Sequence, residues 1–275
     1  ITNILFPAPS EALRMPVSVY GGWMVSLLRA LRRSFLDLEF AIATTYPGKE
    51  FKNLKIDEVT YYLLPSSKPM SCYNKDLEPL WQVVKDEFKP DVIHIHGTEY
   101  AHGLAYIRAC GVDRVCVSIQ GLVSVYSRYY YAGISMSEIL KNITLRDILK
   151  FDTIFHKKRK FEKSGEFEKE YIKSVSHIIG RTSWDRSHIW ALNPQAIYHF
   201  CNETLRPSFY KYNWEYDKCE KHSIFISQAG YPIKGLHKVL EAMPLILRHY
   251  PNTRIKIAGQ SVIDQPFYRL TGYGK

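Results

Sequence analysis

A chain of 275 residues that is 46% hydrophobic and 14% aromatic has room for one large domain or two of ordinary size and enough apolar side chain to build a core, which excludes a disordered or fibrous protein. The net charge of +10 asks for an anionic partner, and a sugar nucleotide, a lipid-phosphate surface and nucleic acid all qualify. Five widely spaced cysteines without a paired metal-ligand pattern, an opening ITNILF that does not read as a signal peptide, and no apolar run long enough to cross a bilayer predict a reduced, cytoplasmic protein whose membrane contact, if any, is peripheral at the inner face.

Ile4-Leu5-Phe6 reads as a first strand, followed by a loop through Pro7, Pro9 and Pro16. Ser18-Val19-Tyr20-Gly21-Gly22 then opens a helix through Val25, Leu28, Leu31 and Arg32. A glycine pair between strand and helix permits close approach of a ligand to the backbone, or simply supplies a turn. The G-x-G-x-x-G fingerprint is absent, which disfavours a nicotinamide-dependent dehydrogenase. Strands are expected over 40–43 and 59–63, then a helix with Leu77, Leu80, Trp81, Val84 and Phe88 on one face. The stretch Lys89 to Gly97 reads as a buried strand ending in His96-Gly97, at the edge where open parallel sheets bind ligands. His94 and His96 share a strand face, but no third residue at matching spacing completes a metal site, so no metal is assigned. A helix from His102 to Ala109 and a strand from Val115 to Ile119 ending in Gln120-Gly121 follow.

Residues 127–170 combine Arg128, the run Tyr129-Tyr130-Tyr131, an amphipathic stretch and the basic run Lys157-Lys158-Arg159-Lys160. Basic with aromatic fits nucleic acid, an anionic membrane carrying a lipid-linked acceptor, or a pair of surface helices with Phe151, Ile154, Phe155 and Phe161 packed inward; the last is favoured. A strand over 177–180 precedes a helix capped by Thr182 or Ser183, and 197–200 is the last strand of this half. Asp185 and Arg186 read as a local salt bridge. Residues 206–221, with Pro207 and no periodicity, read as a connection between an N-terminal domain (1–205) and a C-terminal one (222–275).

The stretch from His222 to Gln260 reads as strand, loop, helix, strand. Ile224-Phe225-Ile226 has the composition of a strand buried on both faces. Leu236, Val239, Leu240, Met243, Ile246 and Leu247 form a helical stripe, which Pro244 should kink. Lys234-Gly235 sits immediately before the helix, where free amides, the dipole and a lysine charge together suit a phosphate. The order of strand, Lys234-Gly235, Leu-rich helix with Glu241-Ala242, Pro251 and a strand ending Ala258-Gly259 resembles the start of the nucleotide-sugar domain of glycosyltransferase family four.

The resemblance implies an α/β, GT-B-like fold: a Rossmann-like parallel-sheet N-terminal domain plus the beginning of a second Rossmann-like domain. It also implies a retaining, metal-independent transferase of polysaccharide biosynthesis that uses a nucleotide-diphosphate sugar and a glycan or lipid-linked acceptor. No cofactor and no nucleic acid are expected. In its terms Lys234, His96 and Gln120 are catalytic candidates, and Gly21, Gly22, Gln228, Lys234, Gly235 and Arg181 contact the donor. Gln120 stands where members often have a histidine, and it cannot carry a proton at neutral pH. Gln228 and Ala229 stand where many members have an arginine. The paired glutamates of the family have no counterpart, so the chain is expected to be a portion of a longer enzyme, inactive by itself. Two other readings remain open: sugar-nucleotide epimerisation on a similar fold, and a non-catalytic protein that binds nucleic acid or glycan.

Overall fold

A computed structural model of the chain describes residues 1–259 and 261–275; Gln260, the last residue of the strand-helix-strand stretch, lies outside the described residues. In chain order the elements are α1 (Pro7–Ala12), α2 (Gly22–Ser34), β1 (Phe40–Tyr46), β2 (Lys52–Ile56), β3 (Val59–Pro65), α3 (Glu78–Phe88), β4 (Ile93–His96), α4 (Leu104–Cys110), β5 (Val115–Ser118), α5 (Val123–Tyr126), α6 (Met136–Lys141), α7 (Leu145–Leu149), α8 (Ile154–Ser174), β6 (His177–Gly180), α9 (Ser183–Leu192), β7 (Ile197–Phe200), β8 (Ser223–Ile226), α10 (Leu236–His249) and β9 (Arg254–Ile257), with short 3-10 turns between some of them. The chain divides into two compact units, 1–124 with 164–212 and 125–163 with 213–275, so the basic, aromatic segment groups with the C-terminal residues.

The first unit is α/β. Strands β4-β5-β6-β7 form an all-parallel sheet with Ile93 opposite Val115, Cys116 opposite His177 and His177 opposite Ile197. A second sheet has the order β1-β3-β2, with β1 and β3 parallel and β2 antiparallel. The backbone of Ile1 and Thr2 lies between the two sheets. Ile1 N donates to His94 O (2.7 Å), His96 N to Ile1 O (3.0 Å) and Thr2 N to Ala43 O (3.0 Å). The strand-like segment is therefore 1–2, not the expected 4–6, and Phe6 instead caps α1, which replaces the expected proline loop. Pro7 and Pro9 are tolerated there because the first-turn amides of a helix have no intrahelical acceptor to lose.

Residues 40–46 and 59–65 extend the two expected strands, and β2 is an addition. The turn joining β2 to β3 places Asp57 and Glu58 at positive φ, a hairpin geometry whose usual Asn-Gly signature is missing from the sequence. Helix α2 buries Met24 and Leu28 against Phe6, Val59, Tyr61 and Leu63, and α3 buries Trp81 completely.

In the second unit β8 and β9 pair in parallel as a two-stranded sheet, Ile224 opposite Ile255. Two strands cannot bury both faces, and Phe225 is 69% exposed, contrary to the doubly buried strand expected. Tyr130, Ile139 and Ile154 form the core of this unit, with Phe155, Phe161, Tyr231 and Tyr273 packed on it. Phe151, expected inside, is 69% exposed, since it sits at positive φ in the turn between α7 and α8. No helix among the described residues is long and apolar enough to cross a membrane.

Candidate functional site

The carboxyl edge of the parallel sheet in the first unit collects polar side chains that the core cannot satisfy. His96 ends β4 and is buried, with its ring 3.8 Å from that of His94 and 5.3 Å from the indole of Trp23 at the start of α2. His94 Nε2 is bonded to Ser118 Oγ at 2.5 Å, whereas His96 Nδ1 has no partner among the described residues. Beyond the strand, Gly97 takes φ +87°, and a Cβ there would meet the Glu99 carboxylate at 2.4 Å, so the glycine makes room for that side chain. Asn3 Nδ2 donates to Glu99 Oε1 (2.9 Å), while Oε2 is buried and unpartnered. His102 Nε2 donates to His96 O (3.1 Å), which leaves Nδ1 as the lone-pair nitrogen, also unpartnered.

Burial dominates the electrostatics. It pushes His94 and His102 down to about 3 and His96 well below the ordinary value, so all three imidazoles are neutral at pH 7. It pushes Glu99 up to about 7, with the Glu168 carboxylate adding to the rise. A set of neutral imidazoles and a carboxyl poised to keep its proton suits a ligand rich in hydroxyls rather than in charge.

The end of β5 contributes Gln120, whose Nε2 is buried without a partner. The Gln120 backbone carbonyl accepts from Arg181 Nη2 (2.8 Å), and Arg181 Nη1 pairs with Glu203 Oε2 (2.8 Å), so this arginine reaches the edge with its charge already matched. Gly21 and Gly22 open α2 one residue before Trp23, Gly21 at φ +69°. The helix after β6 is capped as expected by Thr182, whose hydroxyl accepts from Asp185 N. Asp185 does not pair with Arg186; it accepts from the amides of Arg181 and Thr182 and from the Tyr198 hydroxyl (2.7 Å).

Two loops of this edge are tied together by Glu168, a residue of α8 that is 0% exposed. Its Oε2 accepts from Thr98 Oγ1 (3.1 Å) and Val123 N (3.0 Å), and its Oε1 from Ser124 N (2.9 Å) and Ser124 Oγ (2.5 Å). Thr98 follows β4, and Val123 and Ser124 follow Gln120, so one carboxylate fixes the segments bearing Glu99 and Gln120. Burial raises its pKa, against the pull of these hydrogen bonds.

No protein-family model matches the sequence, and no curated protein matches it.

The remaining predicted residues lie in the second unit. Gln228 is exposed after β8. Lys234 ends a 3-10 turn and Gly235, at φ +80°, is the N-cap of α10. The Lys234 ammonium stands 5.4 Å over the Tyr231 ring, and no carboxylate among the described residues pairs with it. The Tyr273 hydroxyl lies 3.2 Å from His237 Nδ1 at the start of α10.

Thus His96, Gln120 and Arg181 meet at one sheet edge, with Gly21 and Gly22 adjoining through Trp23, while Gln228, Lys234 and Gly235 belong to the other unit. Glu99, His102 and Glu168 were not singled out from the sequence. The first two had a signal, as a carboxylate and an imidazole just past the end of a strand already marked at its His96-Gly97 terminus. Glu168 had none: it is one of several glutamates in a lysine-rich helix.

Proposed function

We propose that this protein acts as a GT-B glycosyltransferase, moving a sugar with retention of configuration from a nucleoside-diphosphate sugar to a glycan or lipid-linked acceptor without a metal ion. One observation carries the reading. At the carboxyl edge of a parallel sheet, His96 Nδ1, Glu99 Oε2, His102 Nδ1 and Gln120 Nε2 are buried with no partner among the described residues, and the hydroxyls of a sugar are the groups that would complete them. The glycines that open α2 beside His96, and an unmatched lysine before the helix of a strand-helix-strand unit, support it.

On this reading the barrier lies in breaking the anomeric bond while negative charge builds on the departing diphosphate. Lys234 and the amides that begin α10 supply positive charge to that group. His96, neutral, and Gln120 hold sugar hydroxyls and move no proton. Arg181, matched by Glu203, positions Gln120 through its carbonyl.

The test is a thermal-shift panel of nucleoside-diphosphate sugars on the full-length enzyme. At least one donor should raise the melting temperature, and Lys234→Ala should weaken that donor roughly 10- to 100-fold, the range for one charge-assisted contact to phosphate. A panel without any shift, or a shift that Lys234→Ala leaves intact, counts against the reading. Transfer of a labelled sugar to an added acceptor separates it from epimerisation, which needs no acceptor.

A further inference from the structure

The first unit carries a groove of about 610 Å³ between α2 and the segment 204–210, lined by Arg29, Arg32, Arg33, Leu205, Tyr210 and neighbouring small residues. Arg29 and Arg33 are one turn apart on one face of α2, with Arg32 beside them. None of the three has a carboxylate partner among the described residues, whereas Arg108 and Arg181 of the same unit are paired with Glu170 and Glu203. The segment opposite is fixed in place. Thr204 Oγ1 donates to Trp23 O (2.9 Å), Leu205 N to the Tyr210 hydroxyl (3.0 Å), and Arg206 Nη2 to Val19 O.

Helix polarity accounts for part of this charge only. Arg32 and Arg33 lie in the last turn of α2, where the dipole welcomes a cation. Arg206 lies at the other end, so close to Gly22 that a Cβ there would meet its Nε at 2.0 Å, and at a helix N-terminus a cation is disfavoured. Positive charge thus runs along α2 from Arg206, beside Gly22 at its start, to Arg33 at its end, and the groove itself is lined by the second half of that row, Arg29, Arg32 and Arg33. At 1.5 Å per residue, Arg29 and Arg33 stand about 10 Å and about 16 Å along the helix from Gly22. A monosaccharide cannot fill that distance; a chain can.

We propose that this groove binds an anionic oligosaccharide, one bearing carboxylate or phosphate groups, as the acceptor chain. That it is the acceptor rests on the transferase reading above; that it binds there does not. Guanidinium forks take carboxylates in bidentate fashion and Tyr210 offers a ring face to a sugar. An open groove between α2 and the segment 204–210, lined by arginines and the Tyr210 ring, favours a chain over a bilayer, although Leu36, 86% exposed just past α2, makes the bilayer the alternative to test.

The experiment measures binding of an oligogalacturonate to the full-length protein at low and high salt, with maltohexaose as neutral control, vesicles of phosphatidylcholine containing phosphatidylglycerol, and a random oligonucleotide. The oligogalacturonate should bind and maltohexaose should not. Arg29→Gln and Arg33→Gln, both at exposed positions, should each weaken it roughly tenfold with unchanged melting temperature. The proposal is overturned if these variants bind as the parent does, if only the vesicles bind, or if the oligonucleotide binds as tightly as the glycan. Donor shifts are read on the same variants. Lost glycan binding with donor shifts intact sinks this proposal alone, and glycan binding without any donor shift sinks the transferase reading alone.

Discussion

Replacing Glu99 with glutamine should change how stability depends on pH, and the size of the change follows from its surroundings. In the folded protein the carboxyl titrates at about 7, raised from 4.5 first by burial and then by the nearby Glu168 charge. Between those values the folded chain holds a proton that the unfolded chain has released, so this group's contribution is full below 4.5 and is lost as pH rises through 7. At about 1.4 kcal/mol per pH unit the loss is roughly 3 kcal/mol, an upper value because the residue as a whole is only half-buried. Glutamine keeps the oxygen that Asn3 bonds and puts an amide where Oε2 has no partner, so it carries no such loss. His94, His96 and His102 titrate in the opposite sense, stabilising less as pH falls below their ordinary value, so the parent's curve alone mixes the two effects. The difference between variant and parent isolates Glu99. Urea unfolding from pH 5 to pH 8 should show Glu99→Gln gaining on the parent by up to about 3 kcal/mol, most of it between pH 5 and pH 7. A difference that stays flat across this range would refute the assignment of a raised pKa to Glu99.

Three further outcomes are expected. Glu168→Ala strands the amides of Val123 and Ser124 and should cost about 3–5 kcal/mol in urea unfolding, with Glu168→Gln costing less because one acceptor oxygen remains. Trp81→Ala empties a fully buried site packed edge-on to Tyr106 at 5.8 Å and should cost about 3–5 kcal/mol, read as a shift in the urea midpoint at constant slope. Thr182→Ala removes one half of a capping box and should cost about 1 kcal/mol by the same assay, leaving donor-induced thermal shifts in place.

Much of the fold was legible because β4 (IHIH) and β5 (VCVS) carry Ile or Val at every second position and β6 carries the pair Ile178-Ile179, each a short β-branched segment between turns. Helices α3 and α10 were visible from their apolar stripes, and α9 from its cap. The misses share a cause. β2 is polar at alternate positions and turns through Asp57-Glu58, so neither its strand nor its hairpin has the usual letters. The ladder at Ile1 and Thr2 depends on partners some forty and ninety residues away, and no local pattern marks it. Phe225 has the composition of a core strand, but its exposure is decided by how many strands lie beside it, a tertiary quantity.

The site divides in the same way. His96 and Gln120 could be found because topology alone puts the last residue of a parallel strand at the ligand-binding edge. What holds them there is written elsewhere. Gln120 is placed by Arg181 from the loop after β6, and the loops bearing Gln120 and Glu99 are braced by Glu168 from α8. A buried carboxylate accepting from two loops also leaves its charge close to Glu99 and helps that carboxyl keep a proton, so the brace and the neutral character of the edge have one source. Removing the brace should therefore both loosen the edge and lower the pKa of Glu99. Glu168→Gln removes the charge and keeps one acceptor oxygen, so the pH at which Glu99 titrates in that variant isolates the charge: a value unchanged from the parent's would refute any influence of Glu168 on the carboxyl beside it.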